Sequence, residues 1–197
     1  VYPLAALLTF GLALLFGFIS ADGFAAQGFD AYLSAIGVIF VGSLMKNFFE
    51  EFAWRSYLTP RLEAAKVHPM VNHIIVSVLW TSWHLPYYYY YLDRAVLESA
   101  ITTSIPVFIG LAYLIQIPTS ILFGELRLIS KSTWTVFLLH QVINAVSMPL
   151  LINGFIKTNG VLGTIFTPTN EGIFVSFLFG IAGWLLYKYR TKNMQAV

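Results

Sequence analysis

From Ala31 to Leu44 the chain carries no charge, and shortly afterwards it places Glu50, Glu51 and Arg55 in the stretch Phe48-Phe49-Glu50-Glu51-Phe52-Ala53-Trp54-Arg55. Few architectures accept that juxtaposition. In lipid every backbone polar group has to be satisfied within the protein, which leaves helices and closed barrels. A barrel strand would alternate over about ten residues, whereas the apolar runs here are long and unbroken. An ionised side chain at or near membrane depth costs roughly 2.5–3.5 kcal/mol on insertion scales, so it comes with a partner and a task. On a helix Glu51 and Arg55 stand at i and i+4 with the acid first, the favourable order for an ion pair. Glu50 is turned about 100° away from its neighbour. One acid therefore reads as structural and the other as available for chemistry.

Composition points the same way. Of 197 residues 58% are hydrophobic and only 10% are charged, against about 25% charged in a soluble domain, and the mean hydropathy is +0.75. The expected fold is an all-α polytopic transmembrane bundle, a single domain over 1–197 with about six spanning helices and one short interfacial helix. The first segment is apolar from its first residue and lacks a basic leader, so it reads as a span and not as a cleaved signal. A net charge of +2 gives no reason to expect a nucleic acid, and with no cysteine there is neither a disulfide nor a thiolate ligand.

The spans are expected near Pro3–Ile19, Ala31–Leu58, Pro69–Leu85, Ala100–Phe123, Thr133–Leu151 and Ile173–Tyr187. Thr59-Pro60 should stop the second, and Arg61 to Lys66 should form the interfacial helix. Pro106 and Pro118 are expected kink sites in the fourth span, Gly124 to Lys131 a polar connector anchored by Arg127, and Ser132 the N-cap of the fifth. The run Tyr87 to Tyr91 suits a membrane–water boundary, with a substrate gate as the alternative. Phe48, Phe49, Phe52 and Trp54 read as packing or lipid-facing residues. The loop from Asn153 to Asn170 is rich in Gly, Asn and Thr. Lys and Arg are biased to one side: Arg55, Arg61, Lys66, Arg127, Lys131, Lys188, Arg190 and Lys192 against Arg94 and Lys157. That bias puts both termini, and the Glu50 end of the second span, in the cytoplasm. The compact size suits a bacterial cytoplasmic membrane.

Four histidines are present. His68 lies in the connector beside Pro69 and reads as solvated, and His73 at the start of the third span reads as interfacial. His84, on a face shared with Trp80, and His140, one helical turn before Asn144, lie inside apolar helices. Polar groups on three separate spans each need partners within the bundle, and the economical solution is that Glu50, His84, His140 and Asn144 converge. A carboxylate and an imidazole can deprotonate water together, while a second imidazole and an amide can donate to an oxyanion. A hydrolase working by water attack needs those two functions.

In order along successive hydrophobic helices, Glu50-Glu51-x-x-x-Arg55, Trp80-x-x-x-His84 and His140-x-x-x-Asn144 resemble the motifs of the CPBP family over about 46–147. This group includes the type II CAAX prenyl endopeptidases and the ABI, bacteriocin-processing and immunity proteins. Trp80 stands where the family usually has Phe. The resemblance implies an intramembrane endopeptidase acting on a hydrophobic or lipidated peptide, with Glu50 and His84 activating water and His140 and Asn144 holding the oxyanion. Glu51 and Arg55 become structural supports. The favoured mechanism is metal-free and has no cofactor. Zinc bound by Glu50, His84 and His140 is the alternative, and the absence of HExxH and the presence of an asparagine weigh against it. Two other readings are a non-catalytic immunity or scaffolding protein and a small proton-coupled transporter. The complete four-residue set argues against the first and the lack of an internal repeat against the second.

Overall fold

The computed structural model describes residues 1–91, 94, 104–169 and 172–194. In chain order the elements are α1 (Tyr2–Leu15), β1 (Ile19–Ser20), α2 (Asp22–Gln27), α3 (Phe29–Ala64), α4 (Pro69–Pro86), α5 (Ile105–Ser130), α6 (Thr133–Ile152), β2 (Lys157–Thr158), α7 (Gly160–Ile165) and α8 (Ile173–Met194). Helix α3 packs on α6, α4 on α5, and α5 on α8, with α1 laid against α8. The architecture is an all-α bundle, as expected.

By length and apolar composition α3, α5 and α6 can each cross a membrane. The α1 helix, at 14 residues, rises only about 21 Å. Large apolar side chains such as Leu7, Val38, Leu114, Leu138 and Phe177 point outward, where lipid can cover them. The interior is correspondingly rich in polar groups, with Asn47, Glu51, Arg55, His73, Glu125 and Gln141 all buried. Two apolar clusters frame them. One joins Tyr2, Trp80, Leu122, Phe123, Val136 and Phe179, and the other gathers Tyr32, Leu150, Phe155 and Ile156 under the short sheet.

Several local expectations give way to tertiary structure. Pro60 does not stop the second helix. Residues Phe52–Leu58 adopt a π-helix, and the Thr59 amide and hydroxyl both bond the Trp54 carbonyl, the hydroxyl at 2.8 Å. The widened turn lets α-helix resume at Thr59–Ala64 with Pro60 in its first turn, where the missing N–H is not needed. The expected interfacial helix is thus the last turns of α3. Helix α1 ends at Leu15, four residues early, because Ile19 and Ser20 pair antiparallel with Lys157 and Thr158. The connector expected from Gly124 is helical to Ser130 and is ended by Lys131 in the left-handed region, φ 53°. Ser132 takes the N-cap position of α6 without a side-chain capping bond. Pro106 opens α5 instead of kinking it. Pro118 lies inside α5, and one turn before it the Ser176 hydroxyl donates to the Ile115 carbonyl at 2.7 Å, tying α8 to α5. The expected start of the fourth span at Ala100 and the end of the following loop at Asn170 lie outside the described residues.

Candidate active site

Glu50 and Glu51 close the α-helical part of α3, immediately before the π-helix, and the 100° between them sends the two acids to different neighbours. Glu50 turns toward α4. Its Oε2 accepts a hydrogen bond from Trp80 Nε1 at 3.0 Å. Its Oε1 lies 3.0 Å from Lys46 Nζ and 3.8 Å from His84 Nε2, the first not aligned to donate and the second too far, so that oxygen accepts no hydrogen bond among the described residues. His84 Nδ1 is 2.8 Å from the Trp80 carbonyl. A carbonyl can only accept, so Nδ1 carries a proton and Nε2 is the nitrogen turned to Glu50.

Glu51 turns toward α6. Its Oε1 accepts from His140 Nδ1 at 2.7 Å and from Arg55 Nη1 at 3.3 Å. Arg55 is fully buried, its guanidinium 3.9 Å above the Trp80 ring and 5.0 Å from that of Phe123. The i,i+4 ion pair read from sequence is present. Its second partner, His140, sits 89 positions further along the chain and was not foreseen. With Nδ1 given to Glu51, Nε2 of His140 is left for chemistry.

Asn144 Nδ2 donates to Asn47 Oδ1 at 2.9 Å, Asn47 Nδ2 to Gln141 Oε1 at 2.8 Å, and Gln141 Nε2 to Ser43 Oγ at 2.7 Å and to the Phe40 carbonyl. This amide chain locks α6 to α3 and leaves one N–H of Asn144 unspent. Sequence reasoning singled out neither Asn47 nor Gln141. Their signal was the polar stripe Ser43, Asn47, Glu50 at i, i+4, i+7 on one helix face, matched by His140, Gln141 and Asn144 on α6.

Glu50, His84, His140 and Asn144 all line one cavity of about 630 Å³. Its middle is apolar, built by Phe108, Leu111, Ile115, Ile143, Met148 and Leu151. Tyr87, Tyr88 and Tyr91 contribute a wall, and Tyr88 stacks on His84 with ring centroids 6.2 Å apart. Part of the tyrosine run thus faces the site, while Tyr90 is 84% exposed. Phe48 and Phe52 stack at 4.2 Å and meet Trp134, packing α3 on α6 outside the cavity.

The other histidines stand apart. His68 is exposed and caps α4, its Nδ1 accepting from the Met70 amide at 3.3 Å. His73 is not interfacial. It is buried, with Nε2 2.9 Å from Glu125 Oε1, because Gly124 lets α5 approach so closely that a Cβ there would fall 2.3 Å from the imidazole. Glu125 also receives Arg190 Nε at 2.6 Å and Nη2 at 2.9 Å. Arg190, read from the sequence only as one of the basic residues that set orientation, is therefore also a structural ion-pair partner. Among the described residues no group of three or more His, Cys, Asp or Glu side chains is arranged to hold a metal ion.

The family model described as type II CAAX prenyl endopeptidase Rce1-like matches residues 32–146. The chain belongs to this family. Neither the curated proteins nor the solved structures compared with it give a match. The stretch shared with the Rce1-like endopeptidases runs from the first turns of α3 into α6 and so contains every residue of the polar cluster on the cavity. Membership makes the protein an integral membrane protein and an intramembrane protease of the CAAX type. The second cluster draws Arg190 from α8, outside the matched stretch.

Proposed function

We propose that the protein hydrolyses a peptide bond of a hydrophobic or lipidated, CAAX-like peptide by metal-free attack of water. The observation that carries this reading is the disposition of Glu50 and His84. The fixed Nδ1–H of His84 leaves Nε2 3.8 Å from Glu50 Oε1, and a water bridging that gap would face a carboxylate and an imidazole at once. As its oxygen attacks the scissile carbonyl carbon, its proton passes to the Glu50–His84 pair, which returns it to the departing amine. The carbonyl oxygen becomes an oxyanion and is met by the unspent N–H of Asn144 and, when the ring carries both protons, by Nε2–H of His140. Glu51 holds the His140 ring by Nδ1, and Arg55 balances Glu51. These two act through His140 and position it.

A zinc mechanism would draw on Glu50, His84 and His140. Those three do not gather as a ligand set, and the Lys46 ammonium stands 3.0 Å from Glu50 Oε1, where it would repel a second cation. The apolar walls suit a greasy peptide segment. The excess of Lys and Arg beside the second-to-third connector, the fourth-to-fifth connector and the C-terminal tail supports a cytoplasmic site with both termini on that side.

The test is cleavage of a fluorogenic prenylated CAAX peptide by the purified protein in liposomes, for the wild type, Glu50→Gln and His140→Ala, each with and without a zinc chelator. The expected result is wild-type cleavage that chelation leaves intact and that both variants lose. Activity lost on chelation and restored by zinc would overturn the metal-free mechanism. A wild type inert toward every lipidated peptide tried would overturn the substrate class.

A further inference from the structure

A carboxamide has two unlike ends. Its oxygen only accepts and its nitrogen only donates, and a half-turn about the last side-chain bond exchanges them in almost the same volume. At Asn144 the choice decides function, because an oxyanion is met by the nitrogen and repelled by the oxygen. The helices fix that choice from a distance. On α3 the Ser43 hydroxyl donates to the Ile39 carbonyl at 2.7 Å, so it has only lone pairs left for a neighbour. The Phe40 carbonyl can likewise only accept. Gln141 meets both groups with Nε2, one N–H for each. Its Oε1 is thereby turned to Asn47, which answers with Nδ2 at 2.8 Å. That leaves Asn47 Oδ1 facing Asn144, which answers with Nδ2 at 2.9 Å. Every link has one permitted sense once the backbone carbonyls have set the first. Asn144 lines the cavity, and Asn47 and Gln141, both fully buried, stand behind it and are not among its lining residues.

We propose that Gln141 and Asn47 are positioning residues that hold Asn144 as a donor to the oxyanion. The inference rests on the protease reading and extends its machinery to two buried amides behind the site. Asn47 and Asn144 by themselves would be satisfied equally well in either sense, and the reversed pair would put Asn144 Oδ1 where its nitrogen stands. Gln141 removes that alternative. Reversal would set Asn47 Oδ1 against Gln141 Oε1, two acceptors with no proton between them. Turning Gln141 to restore the match would set its Oε1 against the Phe40 carbonyl. A buried acceptor left in that state disfavours the reversed chain by about tenfold or more. Amides kept only to join α3 to α6 would need no such sense, and a chain ending on a backbone carbonyl has one.

The test measures kcat and KM for a lipidated peptide in liposomes with wild type, Asn47→Leu and Gln141→Leu, each also combined with Asn144→Ala. Gln141→Leu is the sharper variant, since it leaves the contact between Asn47 and Asn144 in place and removes what gives it a sense. Asn47→Leu keeps the comparison available if Gln141→Leu does not fold. Each single substitution should lower kcat per folded molecule by about 10²-fold, with KM little changed. In the Asn144→Ala background the same substitutions should change kcat by no more than about twofold, because the donor they position is already gone. Full losses that recur in that background, or losses confined to KM, overturn the proposal. A second readout does not need cleavage. A peptide phosphinate, with a tetrahedral oxyanion, and its ketomethylene counterpart, with a neutral carbonyl at the same bond, are titrated by intrinsic tryptophan fluorescence, Trp80 and Trp83 both lining the cavity. The wild type should bind the phosphinate more tightly by about tenfold or more, and both leucine variants should lose that preference. This result supports the proposal even if no peptide is cleaved, which would count against the protease reading alone. A preference absent from the wild type, or surviving in either folded variant, overturns it.

Discussion

Two buried carboxylates in this bundle are each set beside an imidazole and a cation, and the two clusters end differently. In the cluster of α4, α5 and α8 both oxygens of Glu125 are taken, one by His73 and Arg190 Nη2 and the other by Arg190 Nε. The bidentate arginine and the close packing over Gly124 leave that carboxylate no room for a guest. At the other cluster Glu50 has one oxygen satisfied by Trp80 and one that faces His84 and Lys46 without a hydrogen bond. A closed polar cluster keeps helices in register, and an open one beside a cavity can exchange partners with a substrate.

The sharpest way to break that distinction is to remove each carboxylate and read two quantities. Glu50→Gln should lower kcat/KM by about 10²–10⁴-fold, the range expected when a general base is lost, with the thermal midpoint in detergent nearly unchanged. Glu125→Ala should destabilise the fold by on the order of 3 kcal/mol, because it leaves the buried His73 imidazole without its carboxylate and removes the bidentate bond to Arg190, while turnover per folded molecule changes little. A Glu125→Ala variant that kept its stability and lost turnover would erase the contrast. Asn144→Ala tests the open cluster from its other side. Loss of one oxyanion donor should cost about 10²–10³ in kcat, and an effect confined to KM would move Asn144 from the transition state to ground-state binding. The smallest effect is expected at Gly124→Ala, where the new Cβ meets the His73 ring. Overpacking there should cost about 1–3 kcal/mol, visible as a lowered unfolding midpoint, with cleavage retained in the folded fraction.

The open cluster was the more legible of the two in the sequence. Glu50, His84, His140 and Asn144 stand out because an apolar helix gives a polar side chain no neutral place to sit. Relations along one helix, such as Glu51 with Arg55, follow from 3.6 residues per turn. The closed cluster was invisible. His73 looked interfacial and Arg190 counted only toward orientation, since nothing local announces that Gly124 will bring α5 against α4. Pro60 and Gly124 carried the usual marks of helix ends, and both were overruled: a π-helix spared Pro60 the bond it cannot make, and inter-helix packing kept Gly124 in α5.

What the amino-acid order determined alone is the class of solution: an all-α membrane bundle with a small set of acids, imidazoles and amides driven inward by the cost of leaving them in lipid. The tertiary structure decided which of them meet. The bond from Glu51 to His140, the amide chain from Asn144 through Asn47 to Gln141, and the gap between Glu50 and His84 all cross from one helix to another. Helical periodicity says which face of a helix is polar, and the rotation and depth at which two helices pack say which side chain on the neighbour that face will touch.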